Sequence, residues 1–136
     1  MVIDRALLDD VIAHAREEYD AECCGVIAYA EEDGEERRAI CVRRATNIHA
    51  THLRFEIGPK ELLAIYTDFD DSGWRIGAIY HSHTRTEPYP SQTDINNAAR
   101  WGDAEWLIVG LASGAPEVRN YAIANGEVRE AELEIV

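Results

Sequence analysis

Lysine is almost absent from this chain, and Lys60 is the single example among 136 residues. Basic residues number 13 and acidic residues number 26, which gives a formal net charge of −13. A surface of that sign repels the phosphates of nucleic acids, so the composition disfavours direct nucleic-acid binding and a metal-dependent nuclease. The shortage of lysine is equally consistent with a GC-rich source and with a salt-adapted one.

Cysteine is also scarce, with three residues and no spacing typical of a disulfide framework. A small, odd number of thiols predicts a protein of the reducing cytoplasm. No apolar run approaches the roughly 18 residues of a membrane span, and the opening MVIDRALLDD has neither the basic nor the apolar part of a secretory signal. We therefore expect a cytoplasmic protein without membrane association, and the length predicts one domain, residues 1–136.

The segment HSHTRTEPYPSQTD, residues 81–94, carries most of the recognisable chemistry of the chain. The residues before it are apolar, so 74–83 is predicted to be a buried strand. Alternate side chains of a strand point the same way, which places His81 and His83 on one face with their Cα atoms about 6–7 Å apart. Two imidazoles at that separation can converge on one metal ion.

The rest of this segment is predicted to be a loop followed by a helix. Pro88 and Pro90 cannot donate to a strand ladder, so 84–90 is assigned to a loop. Ser91 then begins a helix, and the Asp94 carboxylate in its first turn can reach back to the strand end. The same Ser-x-x-Asp pair is also a common helix N-cap without any metal, and the two roles are compatible.

Two imidazoles and one carboxylate occupy three of the four positions around zinc, which is typical of a catalytic rather than a structural site. We therefore predict a zinc hydrolase with water in the fourth position. Such an enzyme needs a proton shuttle, and Glu22, ahead of the predicted strand at 24–30, is a candidate. From spacing alone, Glu87 in the loop between the predicted ligands is an equal candidate.

Other metal-dependent enzymes fit the pattern less well. A metallo-β-lactamase site needs an aspartate where this chain has Arg85, and a PHP-type phosphoesterase needs several histidines after His83, where this chain has none. A cytidine deaminase site needs a Cys-x-x-Cys pair, which Cys23, Cys24 and Cys41 do not form. Cys24 and Cys41 are instead expected to be small buried strand residues.

These residues together resemble the JAMM (MPN-plus) metalloprotease motif, and the resemblance covers nearly the whole chain. Its parts are Glu22-x-Cys-Gly-Val-Ile, the middle stretch from Asn47 through Phe55-Glu56-Ile57 to Pro59, and the ligand-bearing runs Tyr80-His-Ser-His-Thr and Tyr89-Pro-Ser-x-Thr-Asp. The resemblance implies an α/β fold of the cytidine deaminase-like type, with a curved mixed β-sheet flanked by helices.

The resemblance also implies a role for each matching position. His81, His83 and Asp94 would bind one Zn²⁺ per chain. Glu22 would act first as general base and then as general acid, and Ser91 would donate its hydroxyl to the oxyanion. Contacts to the substrate are expected from the loop after the strand, at Thr84, Glu87 and Tyr89.

Within this family the chain is most similar to the prokaryotic subgroup that releases cysteine from sulfur-carrier proteins. The expected partner is therefore a ubiquitin-like or sulfur-carrier protein with a C-terminal Gly-Gly tail, and the expected reaction is hydrolysis of the bond after that tail. Two alternatives stay open, namely removal of ubiquitin-like modifiers from protein lysines and a non-catalytic MPN-type interaction module. The oligomeric state is not indicated.

Periodicity and turn residues predict the remaining elements. Helices are expected from Asp4, as N-cap, to Tyr19, and from Gly58-Pro59 onward. Strands are expected at 24–30, 39–44, 53–57 and 105–112, with an acidic turn at 31–36 and a hairpin turning at Asn125-Gly126. The last strand is expected to bury Ala131, Leu133 and Ile135. Three further histidines are expected at the surface, His14 on the first helix and His49 and His52 in a loop.

Overall fold

The computed structural model describes residues 1–30 and 37–136 of the chain. The predicted acidic turn at 31–36 lies outside the described residues. The helices are α1 (Arg5–Glu18), α2 (Pro59–Ser72) and α3 (Gln92–Asn97), and a short 3-10 helix follows at Ala98–Trp101. The strands are β1 (Val2–Ile3), β2 (Cys24–Ala30), β3 (Cys41–Ala45), β4 (Trp74–His83), β5 (Glu105–Gly110), β6 (Glu117–Ala124), β7 (Glu127–Glu130) and β8 (Glu134–Ile135).

Six of these strands form one mixed sheet in the order β3-β2-β4-β5-β6-β7 within the described part of the chain. The β4 and β5 strands are parallel, whereas every other neighbouring pair in this sheet is antiparallel. The helices flank the sheet, so the predicted α/β fold with a mixed sheet is confirmed. The β1 and β8 strands form a separate parallel pair.

The two faces of the sheet carry two apolar cores. On one face, α1 packs through Leu8, Val11 and Ala15 against a cluster that includes Ile27 and Leu107. On the other face, α2 contributes Ile65 and Phe69. The β4 strand lies between the two cores and is buried over its last seven residues, from Gly77 to His83. A side chain at the end of β4 is therefore held by packing from both sides of the sheet.

Two glycines make room for tyrosine rings over the sheet. A Cβ atom at Gly25 would overlap the ring of Tyr80, and one at Gly77 would overlap the ring of Tyr29. Both tyrosines are fully buried. The hydroxyl of Tyr29 donates to the carboxylate of Glu105 at 2.5 Å.

Three predicted features of the fold are wrong or need adjustment. Residues 53–57 form no strand and are joined to the preceding loop by a single bridge between Asn47 and Ile57. The Asn47 side chain bonds to the backbone of Arg54 and Glu56 and so holds this segment in a loop. Asp4 is the N-cap residue of α1 as predicted, but its side chain makes no capping bond and accepts from Arg38 instead. The predicted last strand is broken after Glu130, and Ile135 is 39% exposed where it pairs with β1.

His14 is buried, not at the surface as predicted, with 4% exposure. Its Nδ1 atom shares a hydrogen bond of 2.7 Å with the hydroxyl of Tyr80, on the strand that carries the histidine pair. Burial lowers the pKa of His14, with Arg44 acting in the same direction and Glu18 against it. The residues flanking His14 on α1 are polar or small, so periodicity alone did not separate this position from the helix surface. His49 and His52 lie in a loop, as predicted.

Among residues 1–30 and 37–136, no helix is long and apolar enough to cross a membrane.

We predict that His14→Gln changes the pH dependence of stability. Because the folded pKa of His14 lies below its unfolded value of about 6.5, its contribution is fully present above that pH and is lost as the pH falls below it. Urea unfolding of the metal-free proteins should show wild type more stable by about 1 kcal/mol at pH 7.5, with a smaller difference at pH 5.5. A difference that is constant with pH would contradict this assignment.

Candidate metal centre

The histidine pair lies at the carboxyl end of β4, where the strand is covered on both faces. His81 is fully buried and His83 is 5% exposed. Their Nε2 atoms are 3.1 Å apart, so the two side chains share one face of the strand as the alternation of β-structure predicts. Ser82, on the other face, accepts a hydrogen bond from the backbone N–H of Cys23 at 2.8 Å.

The first turn of α3 brings Asp94 to the same point. Ser91 is the N-cap of α3, and its hydroxyl oxygen accepts from the Asp94 N–H at 3.1 Å. Asp94 Oδ2 accepts in return from the Ser91 N–H at 2.9 Å. The capping box predicted from the sequence is therefore present, and it aims the Asp94 carboxylate at the end of β4. The proton of the Ser91 hydroxyl stays available for another acceptor.

Three atoms form a small triangle at this point. His81 Nε2 lies 3.1 Å from Asp94 Oδ2, and His83 Nε2 lies 3.5 Å from the same oxygen. Ligand atoms bound tetrahedrally to zinc at 2.0–2.2 Å are about 3.3–3.5 Å from one another. A proton or a cation must lie among three such acceptors, since they otherwise repel one another. The donor set and its spacing fit a zinc ion.

The tautomer of His83 favours this use of Nε2. Its Nδ1–H donates to the backbone carbonyl of Glu87 at 2.9 Å, which leaves the Nε2 lone pair directed into the triangle. The Nδ1 atom of His81 is buried without a hydrogen-bond partner. An unpaired buried donor costs about 1–3 kcal/mol, which metal binding at Nε2 would have to offset.

The electrostatics of the triangle follow from burial and from mutual contact. Burial acts to raise the pKa of Asp94, but the charge interaction with His81 and the hydrogen bonds from His81, His83 and the Ser91 N–H outweigh it, so that pKa is lowered. Burial lowers the pKa of His81. For His83 the effect of burial is outweighed by hydrogen bonds to Asp94 and the Glu87 carbonyl, and its pKa is raised. The carboxylate is therefore anionic throughout the neutral range.

Glu22 lies beside the triangle, just ahead of β2. The side chain is 4% exposed, and its Oε1 atom is 3.7 Å from His83 Nε2, while Oε2 has no hydrogen-bond partner. Burial raises the pKa of Glu22 to about 8, with His83 lowering it and Asp94 raising it further. A cation in the triangle would lower that pKa again.

Two sets of three side chains could hold a cation here, since potential ligand atoms of Glu22, His81 and His83 also lie within 4.8 Å of one another. The set with Asp94 is the tighter of the two, because Asp94 Oδ2 is closer to both Nε2 atoms than Glu22 Oε1 is to His83. Glu22 is therefore placed to contact a molecule bound at the fourth position. Glu87 is exposed and contributes only its backbone carbonyl to the site. Spacing alone left Glu22 and Glu87 as equal candidates, and of the two it is Glu22 whose carboxylate lies beside the triangle.

The loop at 84–90 has several anchors. The Thr84 hydroxyl donates to the Asp20 carbonyl at 3.1 Å, and this side chain is buried. The Pro88 carbonyl accepts from the Tyr121 hydroxyl at 2.7 Å. Tyr89 is 49% exposed, with its ring edge-on to that of Tyr121 at 5.5 Å. Of the three predicted substrate contacts, Glu87 and Tyr89 present their side chains to solvent, whereas Thr84 holds the loop to the segment before Glu22.

Sequence reasoning missed the aromatic surroundings of the site. Phe55 stacks on the His81 ring, with centroids 4.5 Å apart and planes inclined by 28°, and Trp106 meets the same ring edge-on at 5.9 Å. Beside Asp94, a pocket of about 150 Å³ is lined by both aromatic residues together with Trp101. A larger cavity of about 680 Å³, around Met1 and Glu105, contains none of the predicted site residues.

The chain resembles known proteins in family, in sequence and in structure. A family model described as prokaryotic homologs of the JAB domain matches residues 4–124. A CysO-cysteine peptidase of Mycobacterium tuberculosis is 33% identical over 137 aligned residues, covering 100% of this chain and 91% of the relative. A desampylase of Haloferax volcanii is 31% identical over 105 aligned residues, with coverage of 74% of this chain and 73% of the relative.

Solved structures show the same fold. The protein DSY2949 from Desulfitobacterium hafniense superposes with a TM-score of 0.87 at 27% identity, covering 100% of this chain and 93% of that one. AF2198, a JAB1/MPN domain protein from Archaeoglobus fulgidus, has a TM-score of 0.66 at 20% identity, with coverage of 100% and 99%. The second likeness concerns the fold alone.

We predict that the wild-type protein binds one equivalent of zinc and that His81→Ala and Asp94→Asn each weaken binding by more than about 100-fold. Metal that binds only the folded protein stabilises it, so zinc should raise the thermal midpoint of wild type and of neither variant. Calorimetric titration and thermal unfolding of chelator-treated protein measure both effects. Glu87→Ala, which keeps its backbone carbonyl, is the control and should bind as wild type does. Undiminished affinity in Asp94→Asn would exclude this carboxylate from the site.

Proposed function

The chain belongs to the prokaryotic JAMM (MPN-plus) metalloprotease family, and we propose that it is a zinc-dependent peptidase that hydrolyses the bond after the C-terminal Gly-Gly of a ubiquitin-like or sulfur-carrier protein. The favoured reaction is release of cysteine from the carrier. The observation that carries the proposal is the convergence of His81, His83 and Asp94 on one point with Glu22 beside it. A non-catalytic module has no need for a buried carboxylate beside three metal-binding atoms.

We assign the metal to His81, His83 and Asp94, where zinc would polarise the scissile carbonyl and acidify a water molecule. Glu22 accepts one proton of the attacking water through the carboxylate that faces the triangle. The water oxygen bonds to the carbonyl carbon, the C–N bond breaks, and Glu22 passes the proton to the leaving amine. The carboxylate ends in its starting form, so atoms and charges balance over one turnover.

Ser91 supports the same reaction through its unused proton. Its oxygen already accepts from the Asp94 N–H, which fixes the hydroxyl at the start of α3 next to the assigned ligand. A donor held in this way can stabilise the oxyanion that develops on the scissile carbonyl, an effect worth about 3–4 kcal/mol for comparable donors. Because α3 positions both the hydroxyl and Asp94, no reorganisation is needed during the reaction.

Support for the substrate comes from the full-length likeness to a relative named CysO-cysteine peptidase. A Gly-Gly tail suits a site between two loops, since a segment without side chains can approach the metal closely. The second candidate, removal of a ubiquitin-like modifier from protein lysines, is favoured by the shorter likeness to a desampylase. The cytoplasmic location expected from the sequence belongs to the same proposal.

Intact-mass spectrometry of a carrier ending in Gly-Gly-Cys tests the reaction. We expect zinc-loaded wild type to remove the mass of one cysteine residue, and Glu22→Gln to be slower by about 10²–10⁴-fold with zinc retained, because the proton shuttle is lost. Glu127→Gln, at an exposed acid on β7, is the matched control and should keep near-wild-type turnover. If the carrier is not cleaved but a lysine-linked conjugate of a ubiquitin-like protein is, the second candidate is favoured. If neither the carrier nor the conjugate is cleaved, the peptidase proposal is wrong.

Substitution of Ser91 separates its catalytic role from its role as helix N-cap. Ser91→Ala should cost about 1 kcal/mol of stability and Ser91→Gly only a few tenths. Both variants lack the hydroxyl, so we expect kcat to fall by about 10²–10³-fold in each. Denaturant unfolding and steady-state kinetics on the same preparations measure the two effects. If kcat instead falls only in Ser91→Ala, the less stable variant, and stays near wild type in Ser91→Gly, then Ser91 acts as a helix cap alone.

A further inference from the structure

The loop between β3 and α2 is organised around the side chain of Asn47. Its Oδ1 atom accepts from the backbone N–H groups of His49 at 3.1 Å and Glu56 at 3.2 Å. Its Nδ2 atom donates to the carbonyl of Arg54 at 3.0 Å and to the carbonyl of Glu22 at 3.1 Å. Both amide protons and both acceptor positions are therefore used.

The bond to Glu22 is one of two that fix its backbone to this loop. The N–H of Glu22 donates to the carbonyl of Thr51 at 2.9 Å, and its carbonyl accepts from Asn47. Glu22 precedes the first residue of β2, so the strand ladder does not hold it. The loop therefore holds the backbone of Glu22 on both sides of its Cα atom, while the next residue, Cys23, is bonded to Ser82 on β4.

The same loop also touches the assigned metal ligands. Phe55 stacks on the His81 ring, and the residues on either side of Phe55 both bond to Asn47, through the Arg54 carbonyl and the Glu56 N–H. The Asn47 side chain therefore fixes the backbone at Glu22, the proposed proton shuttle. It also fixes the backbone on both sides of Phe55, whose ring stacks on His81. This arrangement needs an amide of this length, since no other side chain offers two donors and two acceptors at that reach.

We propose that Asn47 is a positioning residue for the reaction, which holds the Glu22 carboxylate at its working distance from the metal site. This inference rests on the proposed function for its kinetic consequence, but the backbone tie can be measured without it. A displacement of about 1 Å in a catalytic group can reduce turnover by about 10²-fold. We therefore expect Asn47→Ser to lower kcat by about 10- to 100-fold, with KM changed by less than about threefold.

The experiment compares Asn47→Ser with Asn120→Ser. Asn120 is a buried amide on β6 that donates to the Glu132 carbonyl at 3.3 Å, away from the site residues. We expect faster hydrogen exchange at 20–24 in Asn47→Ser and no change there in Asn120→Ser, with zinc affinity unaltered in both. If Asn47→Ser folds poorly, Asn47→Asp takes its place. It keeps the acceptor oxygen and removes both donors, so we expect the same loss of kcat and the same faster exchange. Each turnover rate is divided by the amount of bound zinc, which measures the amount of folded enzyme.

A double-mutant cycle with Glu22→Gln identifies the route by which Asn47 acts. If Asn47 acts through Glu22, its substitution should slow the Glu22→Gln enzyme by less than about threefold. An equal loss in both backgrounds, or unchanged exchange at 20–24, would overturn the proposal. If wild type cleaves no substrate, the proposed function fails, while the exchange measurement still decides whether Asn47 holds Glu22.

Discussion

Repulsion among three acceptor atoms is the constraint around which this protein is arranged. Two imidazole nitrogens and a carboxylate oxygen meet within 3.1–3.5 Å in a buried place, where water cannot screen them. Such an arrangement is costly unless a cation compensates for it, so the surrounding structure must hold these side chains together. The two cores on either side of β4 supply that rigidity for the histidines, and the capping box of α3 supplies it for Asp94.

The histidine pair, Ser91 and Asp94 could be placed from the sequence because their spacing follows simple rules of local geometry. Alternation along a strand predicted that His81 and His83 share a face, and the N-cap pattern predicted the direction of Asp94. Both features depend on neighbours within a few residues. Glu22 was a different case, since spacing gave it no advantage over Glu87 and only the resemblance to a family selected it.

The features that the sequence did not predict involve contacts between distant segments. Residues 53–57 contain β-branched and aromatic residues and suggested a strand, but hydrogen bonds to one amide side chain hold this backbone in a loop. His14 looked like a surface position because its partner, Tyr80, lies 66 residues away. The stacking of Phe55 on His81 has no local signature either. Propensity describes a segment in isolation, whereas these positions are decided by tertiary partners.

The orientation of His83 depends on the Glu87 carbonyl, not on the Glu87 side chain. Tyr121 likewise holds the loop through the Pro88 carbonyl. Since every residue type carries the same backbone carbonyl, the exposed side chains of this loop can be exchanged without disturbing the His83 ring, which the Glu87 backbone orients. If these exposed side chains contact the substrate, as proposed, substitutions there change the choice of substrate and leave the His83 ring in place.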